Sequence, residues 1–265
     1  MTPTEPTADT ALVTGASSGI GYELARLLAS SGRSLTLVAR DGARLKDVAA
    51  QLQAELGVPV AWHASDLAET AAADRLWAGL AQAGVTVDIL VNNAGVGASG
   101  DLAEQPLDVI QRMLTLNIAA LTTLTRLALP GMIARKRGRI LNVSSLAGYQ
   151  PAGPGMAAYY ATKSYVLSLS KGIAAELAGS GVSVTALCPG PTATAFEDRA
   201  GAHETGLYRL FPRLSAREVA VAGYHGMLRG RSVVIPGLAT KIAALAGELP
   251  PRSIALAMNR LLLKR

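Results

Sequence analysis

Short apolar runs alternate along the chain with longer stretches in which apolar positions recur every three or four residues. ALVTGA (11–16) is a buried-strand pattern broken by glycine, and Ile20, Leu24, Leu27 and Leu28 then fall on one helix face until Gly32. SLTLVA (34–39) predicts a second strand, and a charged helix follows from about Arg44 to Leu56, closed by Gly57 and Pro59. PVAWHA (59–64), VDILVNNA (87–94), GRILNVSS (138–145) and VSVTALCPG (182–190) predict four further strands. Pro106 to Ala134 is helical in period, with Pro130 predicting a kink or break, and a long helix precedes the sixth strand. VVIP from Val233 predicts a seventh, edge-like strand. Leu238, Ile242, Leu245 and Leu249, then Ile254, Met258, Leu261 and Leu262, predict a helical extension over 236–265. Strands rich in Val, Ile and Leu that alternate with helices imply an α/β fold, a doubly wound parallel sheet of about seven strands with helices on both faces. No repeat or linker divides the sequence, so a single domain over 1–265 is expected, with a flexible N-terminus at 1–9.

Composition narrows the class. Half of the 265 residues are hydrophobic and 17% are charged, which excludes a disordered chain. One cysteine, Cys188, excludes a disulfide framework and multi-cysteine metal sites, and no metal is expected. The first ten residues lack a basic and apolar leader pattern, and no uninterrupted apolar run approaches the roughly 18 residues of a membrane span. A soluble cytoplasmic protein is the expectation. The net charge of +6 raises nucleic acid as a partner. The basic residues are scattered, however, apart from Arg135, Lys136, Arg137 and Arg139, and aromatic residues make up only 4%, so no nucleic-acid partner is expected. The extension is apolar on one side and basic at its end, with Arg252, Arg260, Lys264 and Arg265. That pattern suits core packing or a dimer face, with peripheral membrane contact as the alternative.

The first strand runs into Gly15-Ala16-Ser17-Ser18-Gly19-Ile20-Gly21 and a helix. Glycines there let the backbone turn tightly and approach a pyrophosphate, which the helix N-terminus attracts with free N–H groups. The Gly-Lys-Ser/Thr ending of a phosphate-binding P-loop is missing, which argues against a nucleotide triphosphatase. Arg40 follows the second strand and Arg44 comes a turn later. Guanidinium groups there suit the 2′-phosphate of NADP(H), whereas Asp41 on the ribose would suit NAD(H). Arg40 makes NADP(H) the favoured cofactor.

Tyr159 and Lys163 are four apart at the start of an apolar helix and share a face. An ammonium beside a phenol favours the phenolate, as a carbonyl reductase requires of its proton donor. Tyr160 is the rival tyrosine, but its i+4 neighbour is Ser164.

Together with Asp66-Leu67, Asn92-Asn93-Ala94-Gly95, Asn117, Ser144-Ser145 and Pro189-Gly190, in that order, these motifs resemble the short-chain dehydrogenase/reductase family in its compact single-domain form. The resemblance implies a Rossmann-type fold and an oxidoreductase that moves hydride between a nicotinamide and a carbonyl or alcohol. It implies that Gly15, Ser17, Ser18, Gly19, Ile20 and Gly21 hold the pyrophosphate side of the cofactor and that Asp66 and Leu67 meet the adenine. Asn92, Ala94 and Gly95 would line the cofactor, and Asn117 would hold a backbone distortion and a water leading from Lys163. Ser145 would bind the substrate oxygen and Tyr159 would protonate it, while Lys163 binds the nicotinamide ribose and lowers the Tyr159 pKa. Ser145 lies one residue further from Tyr159 than is usual in the family, which keeps Ser144 as a second candidate. Pro189, Gly190, Thr192 and Thr194 would close over the nicotinamide, and 191–215 would be a substrate lid. Phe196, Leu207, Tyr208, Leu210 and Phe211 there, with Met156 and Tyr149, suggest an apolar ketone, aldehyde or 3-oxoacyl substrate. The resemblance also implies a homodimer or homotetramer. The competing readings are an NAD-linked hydroxy-acid or hydroxysteroid-type dehydrogenase and a silent dinucleotide-binding regulator; the intact Asn117, Ser145, Tyr159 and Lys163 set argues against the latter.

Overall fold

The computed structural model describes residues 9–196 and 212–248. Seven strands form one parallel sheet: β1 (Thr10–Thr14), β2 (Ser34–Ala39), β3 (Val60–Ala64), β4 (Ile89–Asn92), β5 (Gly138–Val143), β6 (Val182–Leu187) and β9 (Val233–Val234), in the order β3-β2-β1-β4-β5-β6-β9. Two short strands, β7 (Thr192–Ala193) and β8 (Leu214–Ser215), pair separately. The helices are α1 (Gly19–Ser30), α2 (Gly42–Leu56), α3 (Ala72–Gln82), α4 (Leu107–Leu114), α5 (Leu121–Ala134), α6 (Ala157–Glu176), α7 (Ala216–Leu228) and α8 (Leu238–Glu248).

The continuous apolar runs follow from burial on both faces, since successive strand side chains point opposite ways. Ala11, Val13, Leu35, Leu37, Ile89 and Val91 meet α1, α2 and α7 through Leu24, Leu28, Leu45, Leu52 and Met227. Leu12, Val38, Leu90, Ile140 and Val184 point the other way, to Leu76, Leu80, Leu124, Met132 and Ile173. β3 is the exception because it is an edge, and Trp62 stays 40% exposed.

Two expectations about helices change. The predicted break at Pro130 is absent, for α5 runs through it to Ala134 with Leu124, Ala128 and Met132 buried. Packing outweighs the one backbone bond that proline removes. The irregularity lies upstream, in a π-helical turn at Thr115–Ala120. Although Leu107–Ala134 has the length and mean hydropathy (1.3) to cross a bilayer, Leu116, Leu124 and Met132 pack it onto the sheet. In α8 core packing of the large residues, one of the roles expected of the extension, is not found: Leu238, Ile242 and Leu245 are exposed and Thr240, Ala243, Ala244 and Gly247 are buried. The wall beneath is backbone at Tyr149 and Gly190, which only small residues can approach closely. Leu249 and the predicted second helix lie outside the described residues, as do 1–8 and the centre of the expected lid (197–211).

The basic run after α5 closes the far end of the sheet. Arg135 and Arg137 lie 3.6 and 3.4 Å from the Asp88 carboxylate, and Arg137 is 3.3 Å from Asp9. The strand order reverses between β1 and β4, and at the carboxyl ends of the strands the loops part around a crevice, the usual ligand position in such sheets.

Candidate active site

A cavity of about 580 Å³ occupies that crevice, lined by the loops after β1 through β6. Gly15 sits at φ +65°, and a Cβ there would stand 2.7 Å from the Asn93 amide nitrogen. The cause is a latch between β1 and β4. Asn93 Nδ2 donates to the carbonyls of Thr14 and Gly15, both at 3.1 Å, while Thr14 Oγ1 accepts from the Asn93 and Ala94 N–H groups at 3.0 Å. Ser17, Ser18, Gly19 and Ile20 line the cavity where α1 begins. Ser18 caps that helix without a side-chain hydrogen bond, and the first turn has no acidic residue. Those N–H groups, with the helix dipole behind them, suit an anion. Gly21 is a correction: it does not line the cavity. A Cβ there would lie 2.3 Å from both Asn93 Nδ2 and the Gly15 carbonyl, so Gly21 is required by the fold of the loop.

Arg40, Asp41 and Arg44 line the cavity beyond β2. Asp41 caps α2, accepting the Arg44 N–H at 3.0 Å. Among the described residues no ion-pair partner holds Arg40 or Arg44. Asp66 and Leu67 stand beside them. Burial would raise the Asp66 pKa, but hydrogen bonds from Arg112 and the Ala68 N–H, and the charges of Arg112 and Arg40, hold it below the ordinary carboxylate value.

Asn92 is the second correction. It points with Leu90 to the opposite face, where Nδ2 donates to Thr125 Oγ1 (3.0 Å) and Asn142 Oδ1 (2.9 Å), outside the main cavity. Ala94 and Gly95 do line it, with Asn93.

At the other end, β5 leads into Ser144 and Ser145. Ser144 Oγ donates to the Lys163 carbonyl at 2.8 Å and is committed to positioning α6. Ser145 Oγ accepts the Ala147 N–H at 3.1 Å and lines the cavity with Tyr159. Lys163 Nζ donates to the Val143 carbonyl at 3.0 Å and stands 5.9 Å from the Tyr159 ring centroid. Burial draws the Lys163 pKa down to about 8. It also pushes Tyr159 up to about 12, offset only in part by Ser145. Tyr160 packs edge-on against Tyr159 in an apolar cluster with Met113 and Met156, and the Phe196 ring lies tilted with its centroid 5.6 Å from that of Tyr159.

Asn117 lies within the π-helical turn, behind the cavity wall. Its amide grips both backbone groups of Val96, at 3.0 and 2.8 Å, and donates to Thr162 Oγ1 at 3.1 Å. A Cβ at Gly95 would come 3.3 Å from Asn117 Oδ1 and 3.5 Å from Lys163 Nζ, so glycine keeps the space between them open. Asn117 therefore positions the wall. Pro189, Gly190, Thr192 and Thr194 complete the lining, and the Thr194 methyl approaches Gly19 across the crevice. Cys188 is buried beside Leu167 and Ala186.

Sequence reasoning named Asn93 within its motif only as a residue that could hold the strand end in place, and gave no role to Thr14 or Arg112. The strand alternation that places Asn92 with Leu90 also places Asn93 with Val91, so the Asn93 signal was present; nothing in the sequence pairs Arg112 with Asp66.

Residues 9–205 match the family described as short chain dehydrogenase. The chain is similar to a putative ketoacyl reductase of the granaticin polyketide synthase of Streptomyces violaceoruber, 38% identical across 79% of this chain and 77% of that protein. It also resembles the structure of a short-chain dehydrogenase from Sphingobium yanoikuyae in complex with NADPH (38% identity, 90% and 92% of the two chains, TM-score 0.81). A third likeness is to a bulky-bulky ketone specific alcohol dehydrogenase from Comamonas testosteroni (31% identity, 93% and 96%, TM-score 0.76).

Proposed function

Since the chain belongs to the short-chain dehydrogenase/reductase family, we propose that it is an NADPH-dependent reductase of apolar ketones or 3-oxoacyl groups. The observation that carries this reading is that Ser145, Tyr159 and Lys163 line one end of a cavity whose other end holds Arg40 and Arg44.

The residues present suit a dinucleotide phosphate. Gly15 and Gly19 keep the turn open, the α1 N-terminus offers its N–H groups, and Arg40 and Arg44 stand where β2 ends. When bound, the cofactor supplies the hydride. Ser145 and Tyr159 hydroxyls together hold the substrate oxygen, and Tyr159 gives it a proton as negative charge develops. A phenol held near pKa 12 is fully protonated at neutral pH, the form that reduction needs. Lys163, which donates to the Val143 carbonyl, would hold the ribose of the bound cofactor and so bring its charge towards Tyr159. Oxidation of the alcohol runs through the same residues with the Tyr159 phenolate as base.

The apolar preference rests on Val96, Ala147, Met156, Tyr160 and Phe196 around the reacting end, and on the ketoacyl and bulky-ketone enzymes the chain resembles. The reading also makes the protein a cytoplasmic homodimer or homotetramer, supported by exposed Leu107, Leu114 and Tyr165 on α4 and α6. Oxidation of NADPH and of NADH against carbonyl compounds graded in size and polarity tests it. Faster turnover with NADPH and with apolar ketones or oxoacyl thioesters is expected. Preference for NADH, or for sugars, overturns that half of the reading.

A further inference from the structure

Asp66 lines the cavity after β3, yet the guanidinium that holds it comes from outside the lining. Arg112, in the last turn of α4, places Nη2 2.5 Å from Asp66 Oδ2, and the Ala68 N–H donates to Oδ1 at 3.0 Å. Both carboxylate oxygens are thus fixed by the protein, and each keeps a further lone pair. Arg40, whose charge also acts on Asp66, lines the cavity, whereas Arg112 does not. The two arginines therefore divide the work: Arg40 is open to a ligand, and Arg112 is committed to the carboxylate.

The inference that follows rests on the cofactor reading above. A dinucleotide with its nicotinamide at Tyr159 and its phosphates at the α1 N-terminus leaves its adenine for the end lined by Val38, Asp66 and Leu67. Val38 and Leu67 offer apolar contact to any purine and cannot tell one base from another. Asp66 can. An ionised carboxylate only accepts hydrogen bonds, so it favours the exocyclic amine of adenine and repels a carbonyl in that place. Burial works against this, because it favours the protonated carboxyl, which donates as well as accepts. An uncompensated carboxylate would also repel the phosphates of the cofactor. A guanidinium behind Asp66 answers both problems without occupying the cavity. We propose that Arg112 is a positioning residue that holds Asp66 as a pure acceptor and thereby makes the cofactor site selective for adenine.

Isothermal titration of the full chain with two ligands tests this without turnover. One is NADPH; the other is reduced nicotinamide hypoxanthine dinucleotide phosphate, which carries a carbonyl in place of the adenine amine. The native protein is expected to bind NADPH about tenfold more tightly than the analogue, and Arg112→Leu to narrow that ratio to about twofold or less. Loss of a positive charge near the site weakens both ligands alike, so the ratio isolates the part Arg112 plays in reading the base. Arg112→Gln is measured beside it, with thermal unfolding of each, so that a folding defect in one variant does not decide the result. A native-like ratio in a folded variant, with both affinities lowered together, overturns the proposal and leaves Arg112 a structural role. A ratio near one in the native protein overturns it as well. If the native protein binds neither dinucleotide, the cofactor reading falls and this proposal falls with it.

Discussion

Two serines stand side by side after β5, and their hydrogen bonds give them different work. Ser144 is bound to the α6 backbone, and Ser145 lines the cavity with Tyr159. Ser145→Ala is therefore expected to lower turnover by about 10²-fold with stability unchanged. Ser144→Ala should cost about 1 kcal/mol of stability, read by denaturant unfolding, with a smaller kinetic effect. The sequence left this choice open, because two adjacent serines at a strand end differ only in which way the backbone turns them. Lys163 offers a second check at this scale. Its pKa falls from 10.5 in the exposed reference state to about 8 in the folded protein. Between those values the unfolded chain holds a proton that the folded chain has lost, so this group makes stability rise with pH across that window. Relative to Lys163→Met, the native protein should gain on the order of 3 kcal/mol from pH 8 to 10.5, measured by unfolding at each pH. A flat difference would mean that the buried lysine is not desolvated as described.

At the scale of elements, the period of apolar residues located the strands of the sheet and most helices, because burial on both faces leaves unbroken Val, Ile and Leu runs. The glycine loop was legible as well, but its roles divide. Gly15 and Gly19 serve the cavity, whereas Gly21 makes room for the Asn93 latch. Gly21→Ala is expected to destabilise the protein by about 1–3 kcal/mol and to weaken dinucleotide binding, since the added carbon meets backbone. Isothermal titration with NADPH alongside thermal unfolding reads both effects. Asn92 was misplaced because a two-residue Asn-Asn motif hides the alternation that sends the two side chains to opposite faces. The inversion in α8 was invisible for another reason. Apolar periodicity identifies the large face, and only the closeness of the Tyr149 and Gly190 backbones dictates that the small face packs.

For the whole molecule, the reversal of strand order at β1 and β4 opens one crevice, and the chain's charge is distributed along it. Arg40 and Arg44 lie at one end and the Ser145, Tyr159 and Lys163 group at the other. Arg40→Ala should raise the KM for NADPH by roughly 10- to 100-fold while barely changing that for NADH, as expected for loss of a charge-assisted contact to a phosphate. Equal effects on both would place Arg40 outside cofactor choice. Spacing alone gave the α/β alternation, the place of Arg40 and the Tyr159–Lys163 pair, while the place of Ser145 followed from the family resemblance. The high pKa of Tyr159 followed from neither, because it arises from the burial created by Met156, Tyr160 and Phe196, which meet only in the folded chain.

The central claim is that Tyr159 protonates the substrate oxygen. The direct test is single-turnover oxidation of bound NADPH by an apolar ketone in the native protein and in Tyr159→Phe, with NADPH affinity measured on both. A fall in rate of about 10²- to 10⁴-fold at unchanged affinity is the predicted result. Full-speed turnover by the phenylalanine variant would contradict the account.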